Sequence, residues 1–156
     1  MQIRKSSSLT LSNKIALMGL VFFTCAFGRA AEDPIFEVAK KGDVTALKQI
    51  LIERPDAVNA RHIGGKETPL HSASMSGKKE AMALLIENKA DVQAKDNAGM
   101  TPLHYAVLSG NIEAVALLLE HKADPNAKAP PFGITPLQST KDSKIQELLR
   151  KAGAKE

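Results

Sequence analysis

The chain lacks tryptophan altogether, has a single tyrosine and a single cysteine, and carries aromatic side chains at only 4% of its 156 positions. The lone thiol, Cys25, lies in an apolar N-terminal run, so neither an internal disulfide nor a cysteine-based metal site is expected. The longest uncharged apolar run, Ile15 to Phe27, is shorter than the roughly 20 residues that span a bilayer. There is no G-x-S-x-G elbow, no glycine-rich phosphate loop and no H-E-x-x-H pair. No catalytic residue, metal ligand set or cofactor is therefore expected. An excess of charge is missing too, once its location is considered. The formal charge is +4, but Arg4, Lys5, Lys14 and Arg29 all fall in residues 1–30, which contain no acid. The remainder is close to neutral, and the basic pI argues for neither nucleic acid nor an anionic membrane as partner.

Residues 1–30 have the layout of a cleavable signal peptide. A basic, serine-rich start leads into the apolar run, and Gly28-Arg29-Ala30 ends it in small residues. Cleavage is expected after Ala30. Phe22-Phe23-Thr24 before Cys25 makes a poor lipobox, and the run is short for an uncleaved anchor. The expected location is thus periplasmic or secreted, with no membrane attachment after cleavage, and residues 31–156 form one domain.

Within that domain the chain copies itself. Thr68 to Leu84, TPLHSASMSGKKEAMAL, matches TPLHYAVLSGNIEAVAL from Thr101 at a shift of 33. Each copy reads as a threonine cap, a proline in the first helical turn, a short helix, a glycine stop and a second, leucine-rich helix. A K-A-D loop follows at Lys89 and again at Lys122. Helices this short cannot be stable in isolation and need stacked neighbours. In these residues the chain resembles the ankyrin-repeat family, whose unit is about 33 residues with a T-P-L-H-x-A opening, and more narrowly exported bacterial members of it. The resemblance implies an all-α solenoid of about four helix-turn-helix repeats with hairpin fingers. Their expected bounds are about 33–61, 62–95, 96–128 and 129–156. The first opens on Asp33-Pro34 with Phe36 in place of the histidine, and the last has Gln138-Ser139-Thr140 in place of H-x-A. Both read as caps, the last with a shortened first helix.

The recurring His71 and His104 should stand on adjacent helices about 8–10 Å apart, too far to share a zinc ion. The resemblance gives them a structural role, bonding the turn and the helix start. His62 and His121 have no partner pattern and are expected to be exposed. Asp91 and Asp124 should bond local amides in their turns. Lys89 and Lys122 stand where the family commonly has glycine, and a cation suits a helix C-terminus. Lys40-Lys41 and Lys78-Lys79 read as solvated surface.

The resemblance also implies where a partner docks, on the finger tips and the concave face of the first helices. The family's variable contact positions fall on Ile63, Gly64, Glu67, Ser72, Met75 and Ser76, then on Asn97, Ala98, Met100, Tyr105, Leu108 and Ser109. After residue 30 the aromatics are Phe36, Tyr105 and Phe132, and the last two belong to this surface. The partner-binding set is therefore Ile63, Glu67, Ser72, Met75, Met100, Tyr105, Leu108 and Phe132, with Tyr105, Met75 and Leu108 forming an apolar patch. The expected function is non-covalent binding of one periplasmic or secreted protein by a chain that is monomeric when unbound. It would act as an inhibitor or immunity-type partner masking an envelope enzyme such as a peptidoglycan hydrolase. An accessory, chaperone-like factor for a periplasmic enzyme such as a catalase, or a structural adaptor, is the alternative.

Overall fold

The computed structural model describes residues 33–155, and the expected signal peptide and its cleavage point lie outside them. Seven α-helices occur in the described residues. They are α1 (Pro34–Lys41), α2 (Val44–Glu53), α3 (Pro69–Met75), α4 (Lys79–Glu87), α5 (Pro102–Leu108), α6 (Ile112–Glu120) and α7 (Ser143–Lys151). Short 3-10 turns follow α2 at Pro55–Asn59 and precede α7 at Leu137–Ser139. No strand is formed among the described residues, only an isolated antiparallel bridge between Ala129 and Ile134.

Stacking supplies what each short helix lacks. The first helices of successive repeats, α1, α3 and α5, pack side by side in one layer, while α2, α4, α6 and α7 form a second layer against them. The core runs continuously through both layers. Ile35, Leu70, Leu103 and Leu137, each next to its repeat's proline, are all buried, as are Leu47, Met82, Leu85, Val115, Leu118, Ile145 and Leu149 from the second layer. The last repeat keeps the packing stripe of α7 but reduces its first helix to the turn at Leu137–Ser139, as its missing residues imply.

Caps set the helix ends. Asp33 accepts from the Ile35 amide, Asp43 from Ala46 and Asn111 from Ala114. Gly42 closes α1 at φ +77°, and a side chain there would also press on the Lys78 stem. Arg54 bonds both oxygens of Asp33 at 2.8 and 2.9 Å, tying the end of α2 to the start of α1. Burial pushes the Asp33 carboxyl up, but the bonds from Arg54 and Ile35 outweigh it and hold the group below its ordinary value.

A second device joins the repeats on the far side. Asn59, Gln93 and Asn126 each donate a side-chain amide to a backbone carbonyl of the next repeat, at Lys89, Lys122 and Gly153. Their oxygens accept from the amides of Asp91, Asp124 and Lys155. Asp91 and Asp124 in turn cap the amides of Gln93 and Asn126, the local role expected of them.

Lys89 and Lys122 follow their helices at φ +68° and +65°, a left-handed conformation that Gly153 adopts at the equivalent place after α7. Their backbone explains the family's preference for glycine better than their charge does. Lys89→Gly and Lys122→Gly should each stabilise the domain by about 0.5 kcal/mol, the relief of the left-handed strain exceeding the lost attraction to the helix end. Thermal melts of both single variants and the double variant, with additive shifts, are the check.

Candidate partner-binding face

Fingers project where the return loops meet the next first helix. The first, His62–Glu67, closes by the bonds from the His62 amide to the Glu67 carbonyl and from the Lys66 amide to the His62 carbonyl. The second, Asp96–Met100, closes by the Asp96 amide on the Met100 carbonyl, and Asp96 Oδ1 also takes the Met100 amide. The third, Ala129–Ile134, is closed by a reciprocal pair of backbone bonds. Asn97 stitches the first two together through the Gly64 and Gly65 carbonyls. Arg61 adds bonds to the Lys66 and Lys95 carbonyls.

The histidines hold the fingers down. His71 Nδ1 accepts from the Thr68 amide at 3.1 Å, and its Nε2 meets the Met100 carbonyl at 3.1 Å. His104 repeats this with the Thr101 amide at 3.2 Å and the Ile134 carbonyl at 3.1 Å. An amide can only donate and a carbonyl only accept, so each ring is neutral with its proton on Nε2. Burial pushes both rings down from the ordinary histidine value. In the capping repeats other chemistry takes over. Gln138 accepts from the Thr135 amide at 3.0 Å, and Phe36 meets the His62 ring edge-on at 5.3 Å. His62 is therefore half-buried beside Phe36, not exposed as its lack of a pattern implied.

The first helices present two columns to the concave side. Glu37, Ser72 and Tyr105 occupy the third position after each proline, and Lys40, Met75 and Leu108 the sixth. All of these but Leu108 border a groove of about 270 Å³ between α1, α3 and the first finger, lined by Phe36, Glu37, Lys40, His62, Glu67, Ser72, Met75, Ser76 and Tyr105. Of the residues expected to bind a partner, Glu67, Ser72, Met75 and Tyr105 meet here. The others lie elsewhere. Ile63 stands at the tip of the first finger, 74% exposed, and Phe132 at the tip of the third, 86% exposed. Leu108 is 52% exposed at the end of α5, while Met100 is half-buried at the base of the second finger.

Tyr105 sits deeper than an exposed anchor. Its ring packs edge-on against His71 at 5.2 Å, and its hydroxyl meets Glu67 Oε1 at 3.0 Å and Asp96 Oδ2 at 2.8 Å. Burial raises the phenol strongly from its ordinary value, and the two carboxylates raise it further. Phe36, Glu37, Lys40 and His62 were not in the expected set. The repeat register was the available signal, since Glu37 and Lys40 head the columns that hold Tyr105 and Leu108. Among the described residues no cluster of three or more His, Cys, Asp or Glu is placed to hold a metal ion.

Paired short helices stacked in two layers, with hairpin fingers beside a concave face, define a helical repeat solenoid of the kind that binds other macromolecules along one surface. The family model for ankyrin repeats matches residues 35–129 in three copies, and the chain belongs to the ankyrin-repeat family. Ankyrin repeats are protein-interaction modules, a fold that is generally not catalytic. Similar curated proteins include the E3 ubiquitin-protein ligase XBAT33 of Arabidopsis thaliana, 35% identical over 75 residues, which are 47% of this chain and 15% of the ligase. Another is the transient receptor potential cation channel subfamily A member 1 homolog of Caenorhabditis elegans, 38% identical over 65 residues, 42% of this chain and 5% of the channel. The chain thus spans only a small part of each relative's length.

Proposed function

We propose that this protein is exported and binds one extracytoplasmic protein through its fingers and concave face, as an inhibitor or immunity-type partner that covers an envelope enzyme such as a peptidoglycan hydrolase. The observation that carries the binding part is the pair of apolar side chains, Ile63 and Phe132, standing free on finger tips whose bases are hydrogen-bonded. Burying each on a partner stabilises a complex by about 2 kcal/mol, and fingers already ordered by Asn97, His71 and His104 lose little entropy on docking. Export rests on the layout of residues 1–30.

The test is affinity capture from an extracytoplasmic extract with the chain from Ala31, beside an Ile63→Ser/Phe132→Ser variant. One protein held by the native chain and weakened at least a hundredfold by the variant, with melting unchanged, is the expected result. Lowered turnover of that protein in the complex supports the inhibitor reading, and raised or unchanged turnover overturns it in favour of an accessory role. Equal capture by both chains would remove the finger tips as the site.

A further inference from the structure

We propose that the groove between α1, α3 and the first finger receives an arginine side chain of the partner, and that this insertion selects which protein is bound. The inference rests on the protein-binding reading and names the chemistry the partner must present. Size is the first argument. At about 270 Å³ the groove falls below the roughly 300–1,000 Å³ of small-molecule sites, which leaves room for one long side chain entering from a protein surface.

The lining is the second. The largely buried Phe36 and the half-exposed Met75 thioether form an apolar border along which an arginine stem can lie. At the far wall stands the Tyr105 hydroxyl, with Glu67 and Asp96 both within 3.0 Å of its oxygen. One hydroxyl has one proton. It satisfies one carboxylate and turns a lone pair toward the other, so this corner has more acceptors than donors. Glu37 adds a carboxylate on the α1 side, and its pairing with Lys41 at 3.2 Å is exposed and readily exchanged.

The nearby arginines of the chain do not supply the missing donors. Arg54 is bonded to Asp33, and Arg61 to the Lys66 and Lys95 carbonyls. Lys40 borders the groove as its cation but is exposed, and as a point charge it cannot span separated carboxylates. A guanidinium carries five donors in a planar fork and can serve more than one acceptor of the lining at once, which is why arginine fits better than lysine.

The protein carries its own reporter, since Tyr105 is its only tyrosine and it has no tryptophan. The experiment titrates the full chain with the peptide acetyl-Ala-Arg-Ala-amide, and with the Gln and Glu analogues at matched ionic strength, reading tyrosine emission. The expected result is a saturable change with the arginine peptide alone, weakened at least fivefold in Glu67→Gln and in Glu37→Gln and unaltered in Phe132→Ser. Circular dichroism and a melt confirm that each variant is folded, and Glu37→Gln keeps the test open if Glu67→Gln is not. Equal responses to the arginine and glutamine peptides, or indifference to both carboxylate variants, would overturn the arginine assignment. Capture of a partner by the native chain but not by the finger-tip variant, without any arginine response, overturns this inference and leaves the protein-binding reading intact.

Discussion

His104→Ala is expected to cost the domain about 3 kcal/mol, and His71→Ala a similar amount. Each ring is fully buried; its loss orphans a threonine amide at the helix start and removes one of the two donors to a finger carbonyl, which keeps its finger-closing amide. A buried unsatisfied polar group costs about 1–3 kcal/mol, and a cavity adds to that. The chain offers a milder replacement. Gln138 already caps the Thr135 amide in the last repeat, so His71→Gln and His104→Gln should keep the cap bond and cost about 1–2 kcal/mol less than alanine. Denaturant melts of the four variants are the measurement, and equal losses for glutamine and alanine would deny the cap its share.

Acid should act at the same two rings. Their folded values lie below the ordinary histidine value because the native state holds them neutral. The unfolded chain titrates near pH 6.5, so above that pH the two states bind the same protons and stability is flat. Below it the unfolded chain takes up protons that the native rings refuse, and stability falls until the folded values are reached. The slope is at most about 1.4 kcal/mol per pH unit for each ring. Asp33 acts in a separate window: its lowered carboxyl contributes above the usual carboxylate range and is lost only as pH drops through its own folded value. A double His→Gln variant should therefore lose the dependence just below pH 6.5 and keep the one near pH 4.

Gly99→Ala should cost about 2–3 kcal/mol, with the damage confined to the fingers. Gly99 turns the second finger at φ +73°, where an L side chain is strained, and its added Cβ would clash with Cδ of the Pro130 ring of the third finger. The Pro130 ring is stiff and cannot rotate away, so one finger must shift. Hydrogen exchange should accelerate at Asp96–Met100 and Ala129–Ile134 while the amides of α4 and α6 stay protected. Partner affinity should fall with it, because Phe132 rides on the displaced loop. An exchange increase spread evenly over all helices would show that the glycine matters to the whole stack instead.

Much of the fold is local and was legible for that reason. A cap, a proline and a glycine are decided by backbone chemistry within a few residues, so the bounds of α2 and α6 and the stop at Gly42 follow from the chain order. The amide ladder of Asn59, Gln93 and Asn126 was not legible. Its spacing is visible, but glutamine and asparagine are common surface residues, and their partners lie roughly one repeat away.

The candidate site divides the same way. Ile63 and Phe132 could be placed on finger tips from the repeat register alone, and they stand exposed there. Tyr105 could be placed on the concave face but not at its depth, because that depends on Glu67 and Asp96 arriving from two different fingers. Phe36 and His62 entered the groove unannounced, since Phe36 replaces the histidine of the first repeat and His62, at the start of the second, has no counterpart in the pattern. The sequence by itself determined the repeat, its period and the near-neutral charge of the residues after 30, because each is written in periodic or local chemistry. Only the tertiary structure decided which surface residues share a groove and which are bound to one another. Those depend on side chains from neighbouring repeats converging across the stack, and a distance in space between repeats has no counterpart in chain spacing.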